Sequence, residues 1–291
     1  MRRLAKTPEL LDGPLDDRPA LVSNLDDLAR VNRWLGGAAL SRRALLRLAR
    51  QPRPGGLSLA AEWRTRPLRL LDVGTGAADI PAHLLDWAER HGRWLEIAAS
   101  DSRPEVIEVA RARVAGRPGI VLSVADARAL PFPDGSLDVA HASLLLHHLE
   151  PDEARQVLAE LRRVARHGVV VNDLERSRLG YLGARLLGRL CAHGRWAELD
   201  APLSVRRAYR APEVARLAAE VGLVEVGRVV GYLGHRYAIA FQPAALAPAA
   251  ASAPATAGVP LTAGVPPMAA MRDDVTGGHG DPSGSQDGEG A

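Results

Sequence analysis

Leu70-Leu71-Asp72-Val73-Gly74-Thr75-Gly76-Ala77-Ala78-Asp79 is the stretch on which the reading of the whole chain turns. An apolar strand ends in an acid, turns through two glycines separated by one residue, and enters an amphipathic helix. Such a turn collects backbone N–H groups beside a helix N-terminus, which suits a charged, nucleotide-like ligand. Gly74 and Gly76 allow close approach of that ligand and permit positive φ. In the helix beyond, Ile80, Leu84, Trp87 and Ala88 share one face, Asp79 is placed to cap it, Pro81 fits its first turn and Gly92 can end it. A glycine pair after a strand also serves packing alone, and Ala78 stands where the dinucleotide-binding pattern has a third glycine. The rest of the chain must decide which ligand is meant.

Outward from this turn, strand and helix periods alternate. Further strands are expected at Leu95 to Ser100, Ile120 to Ala125, Leu137 to Ala142 and Val169 to Val171. Ser102-Arg103-Pro104-Glu105 has capping-box spacing for a helix running to about Ala115. A second helix covers about Pro151 to Arg166, with Gly168 as its stop. This rhythm calls for a parallel sheet covered on both faces, with ligands at the carboxyl ends of the strands. Asp72, Asp101, Asp126 and Asp173 all fall at such ends. Beyond Asp173 come an arginine-studded helix from 178 to about 194 and an irregular connection from His193 to Arg210. A helix from Pro212 to Gly222 comes next, and then an antiparallel hairpin of Leu223 to Val230 and Arg236 to Phe241.

Ahead of the turn, residues 1 to about 20 read as a loosely held arm. Leu25 to about Arg50 reads as two short helices broken at Gly36-Gly37. They are either a pair packed on the main domain or a lid with Asn32, Arg33 and Trp34 facing the ligand. The expected organisation is an arm and helical lid over 1–56, a ligand-binding domain over 57–242 and a disordered tail over 243–291. That tail is rich in alanine, proline and glycine, and repeats Thr-Ala-Gly-Val-Pro at 256–260 and 262–266.

Composition narrows the class. With 47% hydrophobic residues in 291, the chain can bury a substantial core. No run is long enough and free enough of charge to span a bilayer or serve as a signal peptide, so a cytoplasmic protein with no membrane partner is expected. The single cysteine, Cys191, excludes an internal disulfide and a cysteine-rich zinc site. Net charge is +3, and Lys6 is the only lysine among 37 basic residues. That bias reflects arginine-rich coding more than a nucleic-acid surface, since the arginines are spread among acids, as in Glu160-Leu161-Arg162-Arg163.

With the acids placed at successive strand ends, the chain resembles a class I S-adenosylmethionine-dependent methyltransferase over roughly residues 20 to 242. Asp72-Val73-Gly74-Thr75-Gly76 is similar to that family's first motif, and Asp101 falls where its ribose-binding acid would be. The run Ala125-Asp126-Ala127-Arg128-Ala129-Leu130-Pro131-Phe132-Pro133-Asp134-Gly135-Ser136-Leu137-Asp138 is close to its third-strand and fourth-strand signature. The resemblance implies an α/β Rossmann-like fold: a mostly parallel seven-stranded sheet with an antiparallel final strand and helices on both faces. It also implies S-adenosyl-L-methionine as cofactor. The amides of Gly74, Thr75 and Gly76 would meet its carboxylate, and Asp72 would order the turn and the ammonium end. Asp101 and Ser102 would hold the ribose, Asp126 and Ala127 the adenine, and Ser143 would line the methionine arm. The third-strand motif is most similar to quinone-directed carbon methyltransferases and to relatives acting on bacterial secondary metabolites. Ala78, Leu137 and Arg166-His167-Gly168 depart from their pattern.

For the reaction itself, His147 and His148 are the candidate bases, placed past the fourth strand at the mouth of the pocket; a helix-start role for them stands as the alternative. Trp34, Asp173, His193, Arg206, Arg207 and Tyr209 are the candidate acceptor-binding residues. Asp138 is expected to tie the turn before its strand. The fold also resembles catechol-type methyltransferases, which hold magnesium near the position of Asn172-Asp173. No further acid for such a site is evident, so no metal is expected. The expected acceptor is a small aromatic, quinone-like or polyketide-like molecule methylated on a hydroxyl. Carbon methylation, or cofactor binding without turnover, are the alternatives; the oligomeric state is left open.

Overall fold

The computed structural model describes residues 1–7, 9, 13, 17–52, 58–191 and 195–244. They fall within one compact unit, Met1–Ala250, and a second unit, Ala251–Ala291, lies outside them. The expected disorder of the tail therefore falls outside the described residues, except that Pro243 and Ala244 are ordered. Pro243 pairs with Leu223, and the Ala244 N–H donates to the Gly222 carbonyl at 2.8 Å.

Seven strands build the sheet: β1 (Leu68–Val73), β2 (Leu95–Asp101), β3 (Ile120–Val124), β4 (Leu137–Ser143), β5 (Ala165–Leu174), β6 (Leu223–Val230) and β7 (Arg236–Pro243). Their order is β3-β2-β1-β4-β5-β7-β6. The pairs among β1 to β5 are parallel, and β7 is antiparallel to both β5 and β6. Central strands read as unbroken apolar runs because both faces are covered: Leu68, Leu70, Leu71 and Val73 of β1 are all buried. Register places Asp72 beside Ala99 on one side and His141 on the other, so the two sides of β1 deliver different chemistry to its end.

The helices are α1 (Arg18–Trp34), α2 (Gly37–Ala49), α3 (Leu59–Glu62), α4 (Asp79–Arg90), α5 (Pro104–Arg113), α6 (Pro151–Val164), α7 (Arg178–Cys191), α8 (Arg195–Arg207) and α9 (Ala211–Glu220). Leu40, Ala44, Leu45 and Leu48 of α2 join Ile80, Leu84 and Trp87 of α4 in the core that covers one face of the sheet. α6 and α9 pack against β4 to β7. α2 is therefore a wall of the fold rather than a lid, because its apolar stripe is spent on β5, β6 and β7.

Several expected boundaries move for local reasons. Ser102 does not cap α5, whose N-cap is Arg103. Asp79 is the first residue of α4 and not its cap; the cap position is Ala78, in a left-handed conformation at φ +57°. Gly168 does not stop α6 but lies inside β5, where a Cβ would stand 2.2 Å from the Phe241 carbonyl oxygen of β7. The stretch from 195 to 207 is helical despite Pro202. The arm is held at its start: the Leu4 N–H donates to the Arg206 carbonyl at 2.9 Å, and Arg3 donates to the carbonyls of Leu149 and Arg207. Asp138 ties no turn of its own; it accepts from Arg66 and from the Arg69 N–H at the foot of β1. Among the described residues no helix is long and apolar enough to cross a membrane.

Candidate active site

The glycine turn lies at the carboxyl end of β1, with Gly74 at φ +65° and Gly76 at φ +55°, a region that favours glycine. A Cβ on Gly74 would come within 3.1 Å of Leu145. The Thr75 N–H donates to the Ser100 carbonyl at 2.9 Å, and the Gly76 N–H to Asp101 Oδ2 at 3.1 Å. Two of the three turn amides expected to face a ligand carboxylate are thus engaged within the protein. Thr75 lines the cavity, and its buried hydroxyl has no partner among the described residues.

Asp72 is fixed from behind. Its carboxylate bonds His141 Nδ1, while His141 Nε2 lies 2.8 Å from Ser41 Oγ of α2. Ser41 also accepts from Asn172 Nδ2 at 2.7 Å, and Asn172 Oδ1 accepts from Arg236 Nε at 2.6 Å. Arg236 continues the chain of contacts to Asn32 Oδ1 at 2.6 Å and to Ser143 Oγ at 2.8 Å, and Asn32 Nδ2 donates to Asp79 Oδ2 at 3.0 Å. Neither His141, Asn172 nor Arg236 stands out in the sequence as part of the cofactor site. Their neighbours are far along the chain, and only the sheet order brings them together.

At the other end of the turn, Asp101 receives the Gly76 and Arg103 N–H groups and, among the described residues, no side-chain donor. Burial pushes its carboxyl up, and those backbone bonds offset only part of the rise. Its free lone pairs suit two vicinal hydroxyls. Ser102, Asp126 and Ala127 also line the cavity. Asp126 is half exposed, and Arg128 grips its carboxylate through Nη2 at 2.8 Å, which holds it below the usual carboxylate range. An adenine amino group would share that carboxylate with Arg128 or displace it.

The same cavity, about 1070 Å³, extends past Ser143 to His147 and His148. His147 Nδ1 lies 2.6 Å from Asp173 Oδ1, and its backbone N–H donates to Asp173 Oδ2 at 3.2 Å. Burial alone would raise the wholly enclosed Asp173 carboxyl, but the His147 imidazole and Arg236 hold it below its ordinary value. His148 Nε2 is 3.9 Å from Glu9 Oε2. Glu9, His147 and His148 each present a ligand atom within 4.8 Å of the others, a grouping of metal-ligating type. Glu9 is also bonded by Ser204 Oγ at 2.8 Å and approached by Arg207 at 3.7 Å. Leu179, Leu182 and Leu186, on one face of α7, line the cavity with Trp34, Tyr232 and Leu233, and all six are exposed, so its opening is apolar.

Four expected acceptor contacts fall elsewhere. Asp173 stands behind His147 and does not line the cavity. Arg207 is buried, with Nε and Nη2 spent on the carbonyls of His147 and His148. Tyr209 donates to the Leu149 carbonyl at 2.9 Å beneath the Arg3 guanidinium. Arg206 is exposed and outside the cavity. Arg33 is likewise absent from the lining, whereas Asn32 and Trp34 are in it. His193 lies outside the described residues.

Comparison with known proteins finds a methyltransferase domain in part of the chain. Residues 70–168 match the model of a methyltransferase domain. The chain is 33% identical over 150 residues to an uncharacterized 37.1 kDa protein in transposon TN4556 of Streptomyces fradiae, covering 52% of this chain and 37% of that one. It is 28% identical over 203 residues to the ubiquinone/menaquinone biosynthesis C-methyltransferase UbiE of Cupriavidus metallidurans, covering 61% and 79%. A crystal structure of a SAM-dependent methyltransferase from Aquifex aeolicus superposes with a TM-score of 0.52 at 19% identity, over 76% of this chain and 98% of that one. The chain thus spans from about a third to four fifths of the length of these curated relatives.

Proposed function

We propose that the protein, whose residues 70–168 match a methyltransferase domain, is a class I S-adenosylmethionine-dependent methyltransferase that transfers a methyl group to a hydroxyl of a small apolar acceptor, an aromatic, quinone-like or polyketide-like molecule. The observation that carries this reading is a single cavity. The glycine turn, Asp101, the Asp173-bonded His147 and the exposed leucines of α7 all line it.

The residues present fit the cofactor. Gly74, Thr75 and Asp101 all line the cavity; among the described residues the Thr75 hydroxyl has no partner, a Cβ on Gly74 would crowd Leu145, and the Asp101 carboxylate has no side-chain donor. When bound, S-adenosylmethionine supplies an electrophilic methyl group on a sulfonium. The protein's part is to align the acceptor oxygen with that methyl and to exclude water. Asp173 accepts the His147 Nδ1 proton, which fixes the tautomer and leaves Nε2 as the proton-accepting atom. His147 then takes the hydroxyl proton as general base, with His148 beside it at 4.2 Å between ring centroids. Such help is worth about two to four powers of ten when the acceptor still holds its proton.

Carbon methylation of a quinol is the second reading, favoured by the likeness to the UbiE relative. The same base would ionise the phenol that activates the ring carbon. Incubation with methyl-labelled S-adenosylmethionine and a panel of phenols, quinols and acidic polyketide-like aromatics tests both. Mass spectrometry with NMR of the product places the label on oxygen or carbon. Calorimetry showing NADH binding and no binding of S-adenosylmethionine would overturn the cofactor reading altogether.

A further inference from the structure

Arg236 opens β7 and ranks among the largest wholly buried side chains of the protein. Its guanidinium meets only neutral oxygens: Asn172 Oδ1, Asn32 Oδ1 and Ser143 Oγ, one to each nitrogen. A guanidinium carries five N–H donors. One N–H on each terminal nitrogen is therefore left over, and the side chain lines the cofactor cavity. Asp173 and Asp79 act on it through space alone, and burial draws it down to about 10. Among the described residues, then, a buried cation lacks the contacting anion that normally accompanies one.

Its surroundings say which anion is missing. Asn32 spans from Arg236 Nη1 to Asp79 Oδ2, so a fixed cation and a buried acid stand at the two ends of one amide. Burial and the nearby Asp72 raise the Asp79 carboxyl, a strain that an incoming ammonium relieves. Gly37 makes the room: a Cβ there would stand 2.6 Å from Arg236 Nη1 and 2.7 Å from Asn32 Oδ1. Cation and acid, joined by Asn32 and both lining the one cavity, match the two charges of an α-amino acid. The turn amides that would otherwise take its carboxylate are partly engaged, Thr75 with Ser100 and Gly76 with Asp101.

We propose that Arg236 is the binding site for the carboxylate of the cofactor's α-amino-acid end, with Asp79 on the side of its ammonium. The inference rests on the S-adenosylmethionine reading above. Ser143 at the end of β4, and Asn32 through Asp79 at the start of α4, place the guanidinium beside the glycine turn, which favours the cofactor's carboxylate over one on an acceptor.

Calorimetric titration of wild type and Arg236→Gln with two ligands tests it: S-adenosylhomocysteine, which has the amino-acid end, and 5′-methylthioadenosine, which lacks it. A charge-assisted bond lost to one ligand alone should weaken S-adenosylhomocysteine about 10- to 100-fold and leave 5′-methylthioadenosine within about threefold. Equal weakening of both ligands, with an unchanged melting temperature, would make Arg236 a shaper of the pocket and overturn the proposal. So would unchanged affinity for S-adenosylhomocysteine together with a raised KM for acidic acceptors only, which would move the carboxylate to the acceptor. If Arg236→Gln does not fold, Arg236→Lys titrated with the same two ligands gives the reading: weaker S-adenosylhomocysteine binding with 5′-methylthioadenosine within about threefold is expected, and equal change in both overturns the proposal. Wild type that binds neither S-adenosylmethionine nor S-adenosylhomocysteine defeats the methyltransferase reading itself.

Discussion

Asp101 shows how a single carboxyl can report on the ligand. Burial holds it above its ordinary value in the free protein, and two ribose hydroxyls donating to it would favour the ionised form and bring it down again. Binding then releases any proton the free carboxyl holds, so affinity is full above the raised value and falls as pH drops through it. The expected outcome is a dissociation constant for S-adenosylhomocysteine that rises as pH is lowered from about 7 toward about 4. Asp101→Asn should bind weakly with that slope removed, and an unaltered slope in the variant would assign it to another group. His147 carries a second residue-scale prediction. His147→Gln should lower turnover on a phenol by at least about tenfold while S-adenosylhomocysteine affinity stays within about twofold, because the loss falls on the reacting state. The deficit should shrink as pH approaches the acceptor's own value, near 10 for a phenol. Full activity in both His147→Gln and His148→Gln at neutral pH would leave the pair a structural role. Gly74 and Asp101 were legible in the sequence because a strand end and its turn are local. His141 was not, since its partner Asp72 lies 69 residues away and only the β1–β4 register joins them.

The elements differ in how much of their role the apolar pattern reveals. β1 to β7 are placed by short runs of branched and apolar residues, and their order arises from the alternation with helices. α2 shows the limit: its period gives a buried stripe without saying what buries it, so a wall on β5 to β7 reads equally as a lid. α8 shows another, for Pro202 and a run of charges argue against a helix that tertiary packing nonetheless holds. Asp138, at the start of β4, joins three elements. It accepts from Arg66 Nη1 at 2.6 Å, from Arg66 Nη2 at 2.9 Å and from the Arg69 N–H at 2.9 Å. Burial would raise its carboxyl, yet His167 and Arg66 hold it well below the ordinary range. A carboxyl depressed in the folded state contributes stability that is present above its unfolded value, near 3.9, and is lost as pH falls from there toward the folded value. The melting temperature should therefore drop on acidification below about pH 4. Asp138→Asn should cost about 2 kcal/mol at neutral pH, with the partly exposed Arg66 limiting the loss, and should flatten the acid limb of the profile. An acid limb of unchanged steepness in the variant would place the sensitivity in other carboxyls.

At the scale of the whole molecule, the last strand among the described residues ends at Pro243, and the sequence beyond Ala244 differs in kind. Pro243 still pairs with Leu223, and the Ala244 N–H caps the hairpin by donating to Gly222, so the fold's hydrogen bonding runs two residues beyond the expected limit at Gln242. Past that point the sequence is alanine, proline and glycine with an acidic end, and it offers few large side chains to bury. A segment of that composition gains too little from burial to offset the entropy of ordering its backbone, about 1–2 kcal/mol per residue. We propose that residues 245–291 are dispensable for folding and for cofactor binding. A chain ending at Ala244 should melt within about 1 °C of the full chain and bind S-adenosylhomocysteine with the same affinity, because sequence of this composition contributes little burial. A chain ending at Gln242 should melt lower, since it gives up the pairing of Pro243 and the bond from Ala244. If the longer truncation product also loses several degrees, the tail packs on the body and contributes to it. If it keeps its melting temperature but loses affinity, residues 245–291 contribute to cofactor binding and the proposal fails.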